Sequence, residues 1–211
     1  DARRYAQSVG QRGKTDRMDA LVLARYICHE HAHLQQWQPP TACQAALREL
    51  LAHRATLVRQ RSALAQAGCH NKALARLDEP VLAAMQQAIA QIDEQLASTV
   101  QADPASQEAF EYITSVPGLG LVCGSLLVML FGRMQTRSAD AVIAFTGLDP
   151  RPNDSGKKTG QRRLSKRGWP EIRRLMYTAA MSAARTKTWN SFYRAQRDKG
   201  MSTTAALVVL A

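Results

Sequence analysis

The chain has 211 residues, carries 28 Lys+Arg against 17 Asp+Glu, and is 45% apolar. This length and apolar share allow one or two domains with a sizeable core and exclude a disordered tail. The longest apolar stretch, Leu119 to Phe131, is broken by Gly124 and Ser125 and falls short of the roughly 18 residues a membrane span requires, so no membrane partner is expected.

No basic start followed by an apolar run and a cleavage site is visible. Cys28, Cys43, Cys69 and Cys123 are few and scattered, which suits a reducing cytoplasm better than a disulfide scaffold. The chain opens on Asp1 and stops within the apolar pattern Leu207–Leu210, as a piece of a longer protein would. The charge is segregated. Residues 1–150 hold 14 basic and 14 acidic side chains, whereas residues 151–211 hold 14 basic ones and only Asp154, Glu171 and Asp198, so the last 61 residues carry the whole net charge of +11. Such a density points to phosphate and hence to nucleic acid. A solvated face or an acidic lipid contact is the alternative, disfavoured because no amphipathic surface helix with an exposed Trp or Phe is seen among these charges.

In chain order, the first 13 residues read as polar and irregular. A helix follows, capped by Thr15 or Asp16, with Met18, Leu21 and Val22 at helical spacing, and it ends before Pro39-Pro40. The pattern then predicts a long helix over 41–71, a hinge at Asp78-Glu79-Pro80, and a second long helix with Leu82, Met85, Ile89, Ile92, Leu96 and Thr99 as a coiled-coil or helical-hairpin seam. Asp103-Pro104 opens a further helix ending near Ser115, and Val116-Pro117-Gly118-Leu119-Gly120 turns into an apolar helix over 121–131. Another helix runs from Ser138 to Gly147. Residues 149–168, with Pro150, Pro152, Gly156, Gly160 and seven basic residues, read as a functional loop; Pro170 restarts a helix with Ile172, Leu175, Met176, Ala179 and Ala183 inward and Arg173 and Arg174 outward. The fold class is therefore mostly α.

Three features carry chemistry. The 116–120 turn resembles a helix-hairpin-helix element, in which Pro117, Gly118 and Gly120 bring free amides to a phosphate; an ordinary interhelical turn is the alternative. Asp16 and Asp19 share a helix face and could hold Mg²⁺, although any helix start favours Asp. Ser155, beside Asp154 and flanked by Lys157, Lys158, Arg162, Arg163, Lys166 and Arg167, could attack a DNA phosphorus in a field of cations, or merely support its own turn. Gly156-Lys157-Lys158-Thr159 lacks the upstream glycine and strand of a P-loop, and the Cys28, His29, His31 and His33 group lacks a metal-site spacing.

Taken together, Lys14–Ala20, Val116–Gly120, Phe145–Pro150, Ser155-Gly156 and Leu164–Gly168 resemble the insertion-sequence transposases with an Asp-Glu-Asp-Asp catalytic set, the bridge-RNA-guided recombinases. The resemblance implies three parts: the end of a RuvC-like, ribonuclease-H-type domain at 1–38, a coiled-coil or helical spacer at 41–102, and a C-terminal transposase domain at 104–211. It implies Asp16 and Asp19 as the last two acids of the set and Mg²⁺ ligands, with the first Asp and the Glu preceding this chain, and Ser155 as the catalytic serine. It further implies element-end and target DNA, a guide RNA and a homo-oligomer as partners, and the cytoplasm as location. The rival reading is a non-catalytic DNA- or RNA-binding remnant of such a transposase.

Overall fold

The computed structural model describes residues 2–11, 13, 15–34, 36–134, 138–152, 160 and 162–211. They form two compact units, residues 1–39 and 40–211. The first unit holds α1 (Ala2–Ser8) and α2 (Asp16–Glu30), followed by a short 3-10 turn at His31–His33. Helix α1 was not foreseen; its Tyr5 ring lies 5.2 Å from that of Tyr26 on α2, so a tertiary contact stabilises a segment that is polar in sequence. Thr15 caps α2 by accepting from the Met18 amide.

The second unit begins with a helical hairpin. Thr41 starts α3 (Ala42–Gly68) with a reciprocal capping box to Gln44, and Asn71 starts α4 (Lys72–Gln101) by accepting from the Ala73 and Leu74 amides. The two helices run antiparallel, as their cross-links demonstrate: Cys43 meets Thr99, Arg54 meets Asp93, and Arg61 meets Gln86. Leu47, Leu51 and Ala55 are buried on one arm, and Ile89, Ile92, Leu96 and Val100 on the other. Arg54 grips Asp93 through Nε and Nη2, which donate to the two carboxylate oxygens at 2.6 and 3.0 Å.

The break expected at Asp78-Glu79-Pro80 is absent. Pro80 lies inside α4, and the chain reverses instead at residues 69–71. An internal proline removes one backbone hydrogen bond and costs about 3 kcal/mol. The apolar seam from Ile89 to Val100, packed along α3, outweighs that local preference.

The rest of the unit is built around α6 (Leu121–Phe131). All eight residues from Cys123 to Leu130 are buried, as a helix that is apolar on every side requires. Helices α3 and α4 pack on it from the hairpin. The neighbours α5 (Pro104–Thr114) and α8 (Pro170–Ala183) enclose it further. Asp103 caps α5 and Pro104 occupies its first turn, as the sequence indicates. Burial pushes the Cys123 thiol above its ordinary pKa, opposed by the positive charges of Arg174 and Arg54. Between α6 and α8 lie α7 (Ala139–Thr146) and two short antiparallel strands, β1 (Pro150–Arg151) and β2 (Arg163–Leu164). The unit closes with α9 (Lys187–Asp198) and α10 (Thr203–Leu210), where Leu207 packs with Ala180 and Ala184 in a smaller cluster. No described helix is long and apolar enough to cross a membrane.

Leu126 is 0% exposed at the centre of this core, whereas Leu77 on α4 is 73% exposed. Leu126→Ala should destabilise the chain by about 2–5 kcal/mol, and Leu77→Ala by no more than about 0.5 kcal/mol. Urea denaturation monitored by helical circular dichroism measures both; equal effects would contradict the core placement.

Candidate nucleic-acid interface

The basic loop hangs from a closed frame. Helix α7 ends at Gly147, which adopts φ 71°. A Cβ there would stand 2.2 Å from the carbonyl oxygen and 2.6 Å from the amide nitrogen of Arg167, so only glycine lets the two stems of the loop pass so closely. The stems are then joined by hydrogen bonds. The Ser165 amide donates to the Asp149 carbonyl at 2.9 Å, and the Lys166 amide to the Gly147 carbonyl at 3.1 Å. The Ser165 hydroxyl donates to the Asp149 carboxylate. In the next two positions, Pro150 pairs with Leu164 and Arg151 with Arg163 in antiparallel register.

Arg173 locks this frame to α8. Its guanidinium donates to the Thr146 carbonyl at 3.2 Å and the Arg167 carbonyl at 2.8 Å, so it ties the end of α7 to the far stem. The outward orientation expected for Arg173 is thus corrected: two backbone carbonyls at the loop base attract it. Arg174 does reach the surface, but it pairs with Glu171 at 2.9 Å, a bond that holds its pKa up. Lys166 sits at φ 53°, a left-handed conformation that costs a non-glycine residue roughly 1–2 kcal/mol. The stem hydrogen bonds on either side hold it there.

Charge collects on this frame. Arg162, Arg163, Lys166 and Arg167 are exposed, and Arg151 is half-buried. Arg151 and Arg163 occupy directly opposed strand positions, an arrangement that is destabilising unless an anion intervenes. Ser155, Asp154, Lys157 and Lys158 lie outside the described residues. The roles of Asp149, Arg151 and Arg173 were not singled out in sequence, because their partners lie up to 27 residues away and follow no period.

The 116–120 turn has two sides. Pro117 and Gly120 are exposed, and the start of α6 behind Gly120 has no side-chain cap. Gly118 instead adopts φ 106° and packs against α8, where a Cβ would come within 2.7 Å of the Ala183 side chain. Its freedom serves internal packing.

In the other unit, Asp16 and Asp19 are exposed in the first turn of α2. Their oxygens suit Mg²⁺ in kind, but they supply two ligands where six are needed. Among the described residues no group of three or more His, Cys, Asp and Glu side chains could hold a metal. The rings of His29 and His31 are engaged with backbone carbonyls of Arg25 and Cys28.

Comparison with known proteins resolves the family. The profile of the transposase IS116/IS110/IS902 family matches residues 110–194, which span the frame, the loop and α8. A second transposase profile, of the IS110 type with an Asp-Glu-Asp-Asp set, matches residues 1–70. The chain belongs to this insertion-sequence transposase family. The chain is 26% identical to a pilin gene-inverting protein of Moraxella lacunata, with 98% of this chain aligned to 65% of the relative. It is 31% identical to an uncharacterized 44.8 kDa protein of insertion element IS116 from Streptomyces clavuligerus, over 62% of this chain and 32% of the relative. A 42 kDa protein of insertion element IS900 from Mycobacterium paratuberculosis is 33% identical over 48% of this chain and 26% of its own length. The chain therefore spans less than two thirds of the length of the curated relatives it matches.

Removing the Arg173 bridge should loosen the frame without unfolding the core. Arg173→Met is expected to cost about 1.5–3 kcal/mol locally, read as faster hydrogen exchange at the Ser165 and Lys166 amides. Unchanged protection at both amides would show that the frame does not depend on Arg173.

Proposed function

We propose that this transposase cleaves and joins DNA strands with Ser155 as the nucleophile, in a loop whose cations bind the phosphodiester backbone. The observation that supports this reading is the stem of the loop, where Arg151 faces Arg163 and Arg162, Lys166 and Arg167 stand exposed around them. A phosphate set between these cations relieves their repulsion, and each phosphate neutralised releases condensed counterions. Lys157 and Lys158 extend the same charge along the loop.

In the attack, a bond forms between the Ser155 oxygen and phosphorus while one phosphorus–oxygen ester bond breaks. The serine proton passes to a base, and the departing sugar oxygen takes up a proton. The surrounding cations offset the charge that builds on the five-coordinate phosphorus. Asp16 and Asp19 would supply two of the oxygen ligands of a Mg²⁺, whose contribution when bound would be to polarise phosphoryl oxygens. The exposed Pro117 and Gly120 present the uncapped start of α6 to backbone phosphate in a sequence-tolerant way, with Gly118 shaping the turn.

The likeness to a protein named for inverting a pilin gene supports this reading, because inverting a segment requires strands to be cut and rejoined. Element-end and target DNA are the substrates. A guide RNA and a second copy joined through the α3–α4 spacer complete the working assembly, which acts in the cytoplasm. The spacer divides the RuvC-like end from the transposase domain in this scheme.

The test is a denaturing gel after incubation with Mg²⁺ and DNA carrying the element ends. The full-length protein, in which the resemblance places the first Asp and the Glu of the set, should give a covalent protein–DNA adduct that this chain alone does not, and Ser155→Ala in it should give none while binding DNA equally well. An adduct that survives in Ser155→Ala overturns the nucleophile; DNA binding with no adduct from the unaltered full-length protein favours the non-catalytic reading. Separately, Arg163→Gln combined with Arg167→Gln should reduce the slope of log affinity against log salt for duplex DNA by about 1.8. An unchanged slope removes both from the interface.

A further inference from the structure

Helix α9 presents charge of a different character from the loop. Reading from residues 185 to 199, the segment carries Arg185, Lys187, Arg194, Arg197 and Lys199, all exposed, with Asp198 as its one acid. None of these five side chains makes an ion pair among the described residues, where the pairs are Arg54–Asp93 and Arg174–Glu171. Arg197 alone is engaged, donating to the Met201 carbonyl.

The helix is held firmly from behind. Thr186 caps it through the Trp189 amide, and Asn190 donates to the Ala184 carbonyl at 2.8 Å. Tyr193 packs with the cluster of Ala180, Ala184 and Leu207, and Gln196 is buried. The outward side is therefore fixed by helical spacing. Thr188, Ser191 and Ala195 form a low ridge of small residues. Lys187 and Arg194 run along one flank, about 10 Å apart along the axis, and Phe192 and Lys199 along the other. Phe192 stays 41% exposed, although α9 has an inward side that takes Tyr193.

An exposed aromatic among the C-terminal cations is what the sequence reading did not find, and it separates the alternatives for that charge. A duplex shows phosphates but buries its base faces, so it uses the cations and leaves the ring idle. A lipid surface uses a broad apolar face, whereas the larger aromatic residues of α9, Trp189 and Tyr193, turn inward and leave one ring outside. Cations tracking a backbone with an aromatic platform beside them fit an unpaired strand.

We propose that the outer face of α9 binds single-stranded DNA, with Phe192 stacking on a base and Lys187, Arg194 and Lys199 on the backbone. This rests on the reading of the protein as a strand-cleaving DNA transposase, since cleavage and exchange expose such strands. It adds a second, base-facing surface to the duplex-binding loop.

Fluorescence anisotropy with the full chain tests it, using a labelled oligothymidylate, a duplex of equal length, the matching oligouridylate and acidic phosphatidylserine vesicles. Phe192→Ala should weaken oligothymidylate binding about 5- to 150-fold and leave duplex binding unchanged, while Phe192→Trp retains affinity. Lys187→Gln with Arg194→Gln should lower the single-strand salt slope by about 1.4. Helical circular dichroism equal to that of the unaltered chain verifies folding, and the large exposure of Phe192 makes that outcome expected. Single-strand affinity that ignores both changes, or duplex affinity that falls in parallel, overturns the proposal. Tighter Phe192-dependent binding of the RNA, or capture by the vesicles that requires Phe192, overturns it in favour of those partners. If neither DNA form binds at low salt, the DNA-transposase reading fails with it; if the duplex alone binds and responds to Arg163→Gln with Arg167→Gln, only the α9 assignment fails.

Discussion

The second unit rests on the burial of α6 from Cys123 to Leu130. A helix with no polar side has no solvent-facing solution, so it must be enclosed, and the hairpin, α5 and α8 arrange themselves to enclose it. That requirement brings together residues far apart in the chain: Leu47 and Leu96 from the hairpin meet Ile172 and Leu175 from α8 in one core. The hairpin arms are thus not an independent rod at this end, because their buried residues belong to the same core as the C-terminal helices. Once α8 is fixed against α6, Arg173 is placed to reach the end of α7, and the base of the charged loop follows.

Much of this architecture was legible because the residues that start and stop helices act locally. Thr15, Asp103, Ser138 and Gly147 each do in the fold what their chemistry suggests, and the uniform apolarity of 121–131 announces a buried helix. Pro80 misled because its local cost is visible in sequence while the packing that offsets it lies across the hairpin on α3. Helix α1 was missed for a similar reason, since its stabilising contact, Tyr5 on Tyr26, is tertiary. The outward orientation assigned to Arg173 failed because helical periodicity knows nothing of two carbonyls presented by another element.

The proposed nucleic-acid surface was legible as charge but not as form. Counting residues located the excess in the last 61 positions, yet it could not separate the loop from α9, which dispose their cations differently. Around the loop, Arg151 and Arg163 are brought face to face by strand pairing; along α9, cations are spread on both flanks of a ridge of small residues. The first suits a concentrated negative point and the second an extended track. Asp16 and Asp19 were legible in sequence as helix-start acids, because the first turn of α2 rewards negative charge there whatever else they do.

The closed frame has an evolutionary corollary. Its two ends, Asp149 and Ser165, are clasped directly, so the segment between them is a tether with both anchors fixed. Lengthening such a tether carries only a logarithmic entropic penalty, about 0.6 kcal/mol for each doubling. Relatives can therefore insert or delete residues between the anchors and diversify what the tether reaches, while the scaffold beneath stays the same.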